Sequence, residues 1–277
     1  MDTLVEYAGP DACGGPVARL TLNSPHNRNA LSTTLVTQLH QGLRDAAADP
    51  AVRVVVLGHR GGTFCAGADL SEAGASDPRG DRDRGGAGRS GSPPSAYDMA
   101  IARAREMTTL LRDILECPLP VIVAIDGHVR AGGFGLVGAC DIAVAGPRST
   151  FALTEARIGV APAIISLTLL PKISARSAAR YYLTGETFDA HTAAEIGLVT
   201  TAADDVDAAV AALVADIGRG SPQGLAASKA LTAAAVLEGF DRDAERLTEE
   251  SARLFVSDEA REGMLAFLQK RPPSWAT

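Results

Sequence analysis

Short apolar runs alternate with stretches of helical periodicity along the first part of the chain. The runs are rich in β-branched residues and are flanked by proline, glycine and asparagine, a pattern typical of strands. They predict strands at 17–22, 53–58, 121–125 and 149–153, with residues 4–7 pairing with the first of these. Helical periodicity also predicts a helix at 97–115, and another that begins after the N-cap Ser32 and ends near Ala48.

The last third of the chain has helical periodicity almost throughout. We expect helices at 164–170, 175–183, 190–196, 206–217, 222–237, 241–255 and 258–269. Strands with crossover helices followed by helices alone are typical of an α/β core with a C-terminal helical region. We therefore assign 1–200 to the core and 201–277 to the helical region.

Residues 71–95 interrupt this pattern because they contain almost no apolar side chains. Such a segment cannot bury enough surface to offset the entropy lost on ordering. The sequence therefore predicts a flexible loop inserted into the core, whose alternating arginines and aspartates are best explained as a solvated surface.

Composition excludes several classes of function. The chain of 277 residues has a net charge of −7 and a pI near 5.3, so it lacks the basic surface expected of a nucleic-acid-binding protein. No apolar run is long enough to span a membrane, and the first residues do not resemble a signal peptide. The four cysteines and five histidines are scattered, so we expect reduced thiols, no metal site and a cytoplasmic protein.

Two glycine-rich segments carry the candidate chemistry. One is a loop at 61–70 that follows the strand at 53–58, and the other is Gly132-Gly133, at the start of a small-residue segment that fits a buried helix. Backbone N–H groups at such a helix start are free to bind an anion, or an oxygen that becomes anionic during a reaction. Close packing of helix on sheet is the structural alternative.

A dinucleotide site is a second alternative. Residues 133–138 fit the pattern G-x-G-x-x-G, and Glu155 follows at a suitable distance. In a Rossmann unit, however, the first glycine follows the strand directly, whereas residues 126–132 intervene here. The spacing therefore disfavours a nicotinamide cofactor.

Short sequence motifs in a fixed order and spacing carry a family resemblance along nearly the whole chain outside 71–95. The motifs lie at 22–25, 28–31, 64–70, 120–127, 131–133, 140–143, 151–159, 183–186, 193–199 and 262–267. Together they resemble the crotonase (enoyl-CoA hydratase/isomerase) superfamily. The resemblance implies an α/β fold in which a spiral of ββα units forms two roughly perpendicular sheets, with a C-terminal helical region used for trimerisation.

The resemblance also implies a catalytic site. The two N–H groups of the family's oxyanion hole fall on Ala68 and Gly132, and one of its two catalytic glutamates falls on Glu155. The position of the other glutamate is Gly135, which has no carboxyl group. We weigh the nearby His128 and Arg130 mainly as structural residues.

For the substrate, the resemblance implies an acyl-CoA thioester and no separate cofactor. It points to Arg28, Ala30, Ala66 and Leu70 around the CoA, and to a homotrimer or a hexamer made of two trimers. Residues 161–166 replace a glycine-rich family segment, so the shape of the acyl pocket differs. Hydration of a 2-enoyl-CoA is the function we predict; the alternatives are double-bond isomerisation by one glutamate and acyl-CoA binding without catalysis.

Overall fold

The computed structural model of the protein describes residues 2–69 and 94–276. Leu70, one of the residues predicted to contact CoA, and most of the predicted 71–95 loop lie outside the described residues. The strands are β1 Val5–Ala8, β2 Val17–Leu22, β3 Val54–His59, β4 Thr63–Cys65, β5 Val121–Ile125, β6 His128–Arg130, β7 Ile142–Ala145, β8 Thr150–Ala152, β9 Phe188–Asp189 and β10 Thr201–Ala202.

The helices of the described residues fall between and after these strands. They are α1 Pro10–Cys13, α2 Thr33–Ala48, α3 Ala96–Glu116, α4 Gly132–Ala139, α5 Ser166–Leu169, α6 Ala175–Thr184, α7 Ala190–Glu195, α8 Val206–Ile217, α9 Pro222–Phe255 and α10 Asp258–Leu268. Short 3-10 helices lie at Pro25–Asn27 and Glu155–Ile158. None of these helices combines the length and the apolar character that a membrane crossing requires.

The larger sheet contains the strands predicted at 4–7, 17–22, 53–58 and 121–125. It has six strands in the order β1-β2-β3-β5-β7-β10, antiparallel between β1 and β2 and parallel elsewhere. Its inner strands are buried, as in parallel sheets covered on both faces. The short strand β10 lies just beyond residue 200 and pairs with β7, so this sheet includes residues 201–202.

A second, four-stranded sheet was only partly predicted. Its order is β4-β6-β8-β9, with β4, β6 and β8 parallel and β9 antiparallel to β8. Only β8 was expected from the sequence. The prediction that 61–70 forms a loop is wrong for Thr63–Cys65, because a strand of three residues is too short to show an alternating pattern.

The structure has one long C-terminal helix where the sequence predicted two. The helices expected at 222–237 and 241–255 are a single helix, α9, because Gly239 does not end it. A glycine inside a helix costs only about 1 kcal/mol relative to alanine. The adjacent Phe240 is 1% exposed and belongs to the main hydrophobic core, and its burial holds the helix together at this point.

An ion pair between the buried Lys229 and the partly buried Asp141 joins α9 to the larger sheet. The Lys229 Nζ atom lies 2.8 Å from an Asp141 carboxylate oxygen and donates hydrogen bonds to the carbonyls of Ile114 and Leu119. The same carboxylate accepts a hydrogen bond from the Val121 N–H group at the start of β5. Every donor of the ammonium group is therefore used, as a buried charge requires.

Candidate active site

The candidate site residues lie where three parallel strands end. Because β4, β6 and β8 are parallel neighbours, their carboxyl ends lie at the same edge of the four-stranded sheet. Ala68 follows the end of β4, Gly132 follows β6 and Glu155 follows β8, each by two or three residues. The fold therefore brings together three residues, the first and last of which, Ala68 and Glu155, are 87 positions apart along the chain.

The loop after β4 is held by the segment before α2. Leu31 donates its N–H group to the Gly67 carbonyl at 2.8 Å and accepts from Asp69 N–H at 3.4 Å. In such a parallel bridge, the residue between Gly67 and Asp69 points its own N–H group away from Leu31. Ala68 is that residue, and it is exposed, so its N–H group is available to a ligand.

The two glycine-rich segments touch each other. Gly67 has a φ of 93°, and a Cβ atom placed on it would lie 2.5 Å from the Ala131 Cβ atom and 3.3 Å from the Gly132 nitrogen. Ala131 itself has a φ of 45°, an uncommon value for a residue with a side chain. Gly132 is the first residue of α4, where N–H groups have no partner within the helix. A ligand oxygen at this contact can therefore meet N–H groups from both segments.

Glu155 is a buried carboxyl group. Its residue is only 8% exposed, and burial raises the pKa of the carboxyl group from 4.5 to about 7, against a smaller opposing effect of its own backbone N–H group. Among the described residues, none donates a hydrogen bond to its Oε2 atom. A carboxyl group with a pKa near neutrality is suited to taking up and returning a proton.

Helix α10 fixes the short turn that carries Glu155. The 3-10 helix Glu155–Ile158 ends at Gly159, whose φ is 77°. A Cβ atom at Gly159 would lie 2.6 Å from the Glu259 backbone, and one at Gly263 would lie 2.5 Å from the Ile158 backbone. Only glycine fits at both positions, so the C-terminal helix lies directly on the turn and restrains it.

The position of the missing glutamate is filled by apolar side chains. Gly135 lies one turn into α4, and a Cβ atom there would lie 2.7 Å from the Ile165 Cγ2 atom, 3.0 Å from the Met107 Cε atom and 3.2 Å from the Leu111 Cδ1 atom. A glutamate side chain therefore has no room at this position. The wall that faces it is made of hydrocarbon rather than of a second carboxylate.

The residues predicted to contact CoA are arranged around the same loop. The Ala66 N–H group donates to the Arg28 carbonyl at 3.1 Å, so the two residues are adjacent. Arg28 is exposed and has a φ of 60°, whereas Ala30 is 6% exposed and lies beneath the surface. Leu70, as stated above, lies outside the described residues.

The other polar candidates have structural partners. The His128 Nδ1 atom lies 2.7 Å from Thr150 Oγ1, and Arg130 donates to the Thr150 and Val129 carbonyls. In the described ranges, no group of three or more histidine, cysteine, aspartate or glutamate residues could hold a metal ion. The glycines of 133–138 lie inside α4 rather than at its start, so the dinucleotide pattern is a feature of helix packing: Gly138, for example, lies against Thr168.

Sequence reasoning missed two hydroxyl groups near Glu155. Tyr182 on α6 and Ser166 on α5 lie 3.2 Å apart, oxygen to oxygen. Burial raises the pKa of Tyr182 to about 12; the hydrogen bond to Ser166 opposes this effect, and the charge of Glu155 adds a smaller rise. No motif marks either residue, and the only available signal was that residues 161–166 depart from the glycine-rich segment of the family.

Fold and site together define a class of α/β protein in which two backbone N–H donors and a buried acid–base group meet at one sheet edge. The sequence model of the enoyl-CoA hydratase/isomerase family matches residues 17–276. The chain belongs to this family, and the crotonase resemblance, with its α/β fold and C-terminal helical region, is confirmed.

Individual relatives align with this chain over nearly their whole length. Enoyl-CoA hydratase EchA19 from Mycobacterium tuberculosis is 32% identical over 282 residues, which cover 97% of each protein. The crystal structure of an enoyl-CoA hydratase from Mycobacterium avium is 76% identical, with a TM-score of 0.88 over 99% of this chain and 100% of that one. An enoyl-CoA hydratase/isomerase from Marinobacter aquaeolei is 28% identical, with a TM-score of 0.72 over 100% of both chains.

The buried Glu155 predicts a pH-dependent difference in stability. Its folded pKa of about 7 exceeds the ordinary 4.5, so its stabilising neutral form is fully present below about pH 4.5 and is lost as the pH rises through 7. Glu155→Gln should therefore gain stability over the wild type by roughly 2–3 kcal/mol between about pH 5 and about pH 8. Urea unfolding at the two pH values measures this gain.

The exposed Glu238 provides the control for the loss of one carboxyl group. Glu238→Gln should follow the wild type at both pH values. A Glu155→Gln variant whose stability relative to the wild type is the same at both pH values would show that Glu155 titrates as an ordinary surface carboxyl group.

Proposed function

We propose that this protein is an enoyl-CoA hydratase, which adds water reversibly to the double bond of a 2-enoyl-CoA thioester. The observation that carries the proposal is the meeting of Ala68, Gly132 and the buried Glu155 at one sheet edge. The names of the relatives support the same activity for this chain.

The chemistry follows from where charge develops. When water attacks C3 of the enoyl group, the electrons move onto the thioester oxygen and form an enolate. The N–H groups of Ala68 and Gly132 would bind that oxygen, and each such donor contributes on the order of 3 kcal/mol to transition-state stabilisation. Glu155, as acid–base group, would take a proton from the water and deliver one to C2.

Isomerisation of the double bond is the second candidate function. A single carboxyl group can remove a proton from one carbon of a 3-enoyl-CoA and return it to another, without orienting a water molecule. The apolar wall at Gly135, made by Ile165 and Met107, favours this alternative because it offers no second carboxylate. A protein that binds acyl-CoA without turning it over is the third reading.

We propose that the CoA part of the substrate lies along Arg28, Ala30, Ala66 and Leu70. The adjacency of Arg28 and Ala66 supports this assignment, and the guanidinium group of the exposed Arg28 can approach the CoA phosphates. CoA enters as part of the substrate, and we propose no separate cofactor.

We propose a homotrimer, alone or paired into a hexamer, in the cytoplasm. Exposed apolar side chains in the C-terminal helical region support assembly, since Leu231 is 81% exposed and Phe267 and Leu268 are 61% and 65% exposed. The four free cysteines support a reducing compartment. Light scattering after gel filtration should give three or six times the mass of one chain, and a monomeric mass would contradict the assembly.

Replacing Glu155 tests the catalytic assignment. With crotonyl-CoA, the wild type should yield a product one water heavier, and Glu155→Gln should lower kcat about 1,000-fold because the proton acceptor is lost. Because the ionised carboxylate is the base, kcat/KM for hydration should rise with pH through about 7 in the wild type. Mass spectrometry and the thioester absorbance measure product and rate.

The same assay separates the alternatives. Glu238→Gln should keep the wild-type rate, since this side chain is exposed on α9. A 3-enoyl-CoA whose double bond shifts at constant mass, with no hydration of crotonyl-CoA, would assign the isomerase instead. Binding of both thioesters without any turnover would support the non-catalytic reading.

Replacing Gly67 tests the contact between the two loops. A Cβ atom at Gly67 would collide with Ala131 and would require an unfavourable φ, so Gly67→Ala should separate the two N–H donors. We expect kcat to fall about 100-fold, the cost of losing one oxyanion donor. Gly62→Ala, in the turn before β4 and with no atom within 4 Å of the new Cβ, should retain activity. Equal rates for the two variants would exclude a role for the contact.

A further inference from the structure

The hydration proposed above requires a second group that holds the water, and the family position for it is apolar. At Gly135 the nearest side-chain atoms belong to Ile165, Met107 and Leu111. All three of these atoms are carbons, which cannot accept a hydrogen bond from water. Tyr182 lies on the helix that packs against the turn carrying Glu155, and its hydroxyl group is paired with that of Ser166.

Their position follows from packing. Helix α6, which carries Tyr182, packs against the 3-10 helix that begins at Glu155, and Arg157 in that 3-10 helix donates hydrogen bonds to the Thr184 carbonyl at the end of α6. Ser166 directly follows Ile165 in the chain, and its hydroxyl group lies 3.2 Å from that of Tyr182. Burial raises the pKa of Tyr182, the hydrogen bond to Ser166 opposes this, and the charge of Glu155 raises it by a smaller amount.

The hydrogen bonds fix which way the hydroxyl groups point. The Ser166 hydroxyl donates its single hydrogen to the Pro162 carbonyl at 2.7 Å. It can then only accept from Tyr182, whose hydroxyl oxygen lies 3.2 Å away. The lone pairs of the Tyr182 oxygen therefore remain available as acceptors, like those of a carboxylate but without its charge.

We infer that Tyr182, oriented by Ser166, is the positioning residue for the attacking water and takes over the place of the glutamate missing at Gly135. The water donates one hydrogen to Glu155 Oε2, which no described residue uses, and the other to the Tyr182 oxygen. Its own lone pair is then free to attack C3. This inference rests on the proposed hydratase function.

The reaction balances with one acid–base group. The C3–O bond forms as Glu155 takes the proton that it shares with the water, and the electrons of the double bond move to the thioester oxygen. Glu155 then delivers this proton to C2 as the enolate collapses, which regenerates the carboxylate. Tyr182 keeps its own proton throughout, and the net change is the addition of one water molecule.

Tyr182→Phe separates water positioning from a structural role, because one reaction of the site needs no added water. Exchange of the C2 protons of butyryl-CoA with deuterium oxide requires only Glu155 and the two N–H groups. We expect Tyr182→Phe to lower kcat for hydration of crotonyl-CoA about 10- to 30-fold, the cost of one lost hydrogen bond, with little change in KM. The exchange rate should stay within about threefold of the wild type on the same scale.

Two further variants sharpen the test. Tyr181→Phe removes a hydroxyl group from the neighbouring residue, whose ring packs on Phe188, and should hydrate like the wild type. Ser166→Ala keeps the tyrosine oxygen but removes the acceptor that orients it, so its hydration rate should lie between those of the wild type and Tyr182→Phe.

The possible outcomes distinguish the two proposals. Hydration lost with exchange retained supports the positioning role of Tyr182. Unchanged hydration in Tyr182→Phe, or parallel loss of hydration and exchange, overturns that role and leaves the hydratase assignment intact. A wild type that does not hydrate crotonyl-CoA overturns the proposed function, and the inference about Tyr182 with it.

Discussion

The parallel register of three short strands is the constraint on which the site depends. Strands β4, β6 and β8 have three residues each and end at one edge of their sheet, so the loops that follow them must meet. Their meeting is close enough that Gly67 has no space for a side chain against Ala131. Backbone N–H groups from two separate loops thereby reach one small volume without a dedicated side chain, and their spacing is set by the sheet rather than by flexible rotamers.

The partly buried Asp141 and the buried Glu155 are stabilised in opposite ways. Asp141 is paired with Lys229 and also accepts a backbone hydrogen bond, so its charge is compensated and it serves to join β5 to α9. Among the residues that the structure describes, no cation is paired with Glu155, and burial raises its pKa instead. Leaving a carboxyl group uncompensated is destabilising at neutral pH, and it is also what gives the group a proton affinity suited to proton transfer.

Sequence reasoning predicted four of the six strands of the larger sheet and most helices, because most of these elements are long enough to show a pattern. The strand at 121–125 and the helix at 206–217 have the predicted bounds, since burial on both faces or amphipathic periodicity is visible over five or more residues. Strands β4, β6 and β9 span two or three residues and carry no period, so tertiary pairing alone defines them. The positions of Ala68, Gly132 and Glu155 came from family resemblance, whereas Tyr182 was found only through its contacts.

The sequence departs from the family pattern at Gly135 and at 161–166, and these two positions are in contact in the structure. Gly135 lacks the family's glutamate, and 161–166 lacks its glycines, yet a Cβ atom at 135 would lie 2.7 Å from the Ile165 side chain. The isoleucine occupies the space that the glutamate would need, so Ile165 requires a residue without a side chain at 135. Restoring a glutamate at 135 alone would therefore force a carboxylate against hydrocarbon, and the second polar group has to come from another element of the fold. Ser166, the residue that follows Ile165, is hydrogen-bonded to Tyr182, so the segment that fills the place of the glutamate also holds the hydroxyl group proposed to replace it.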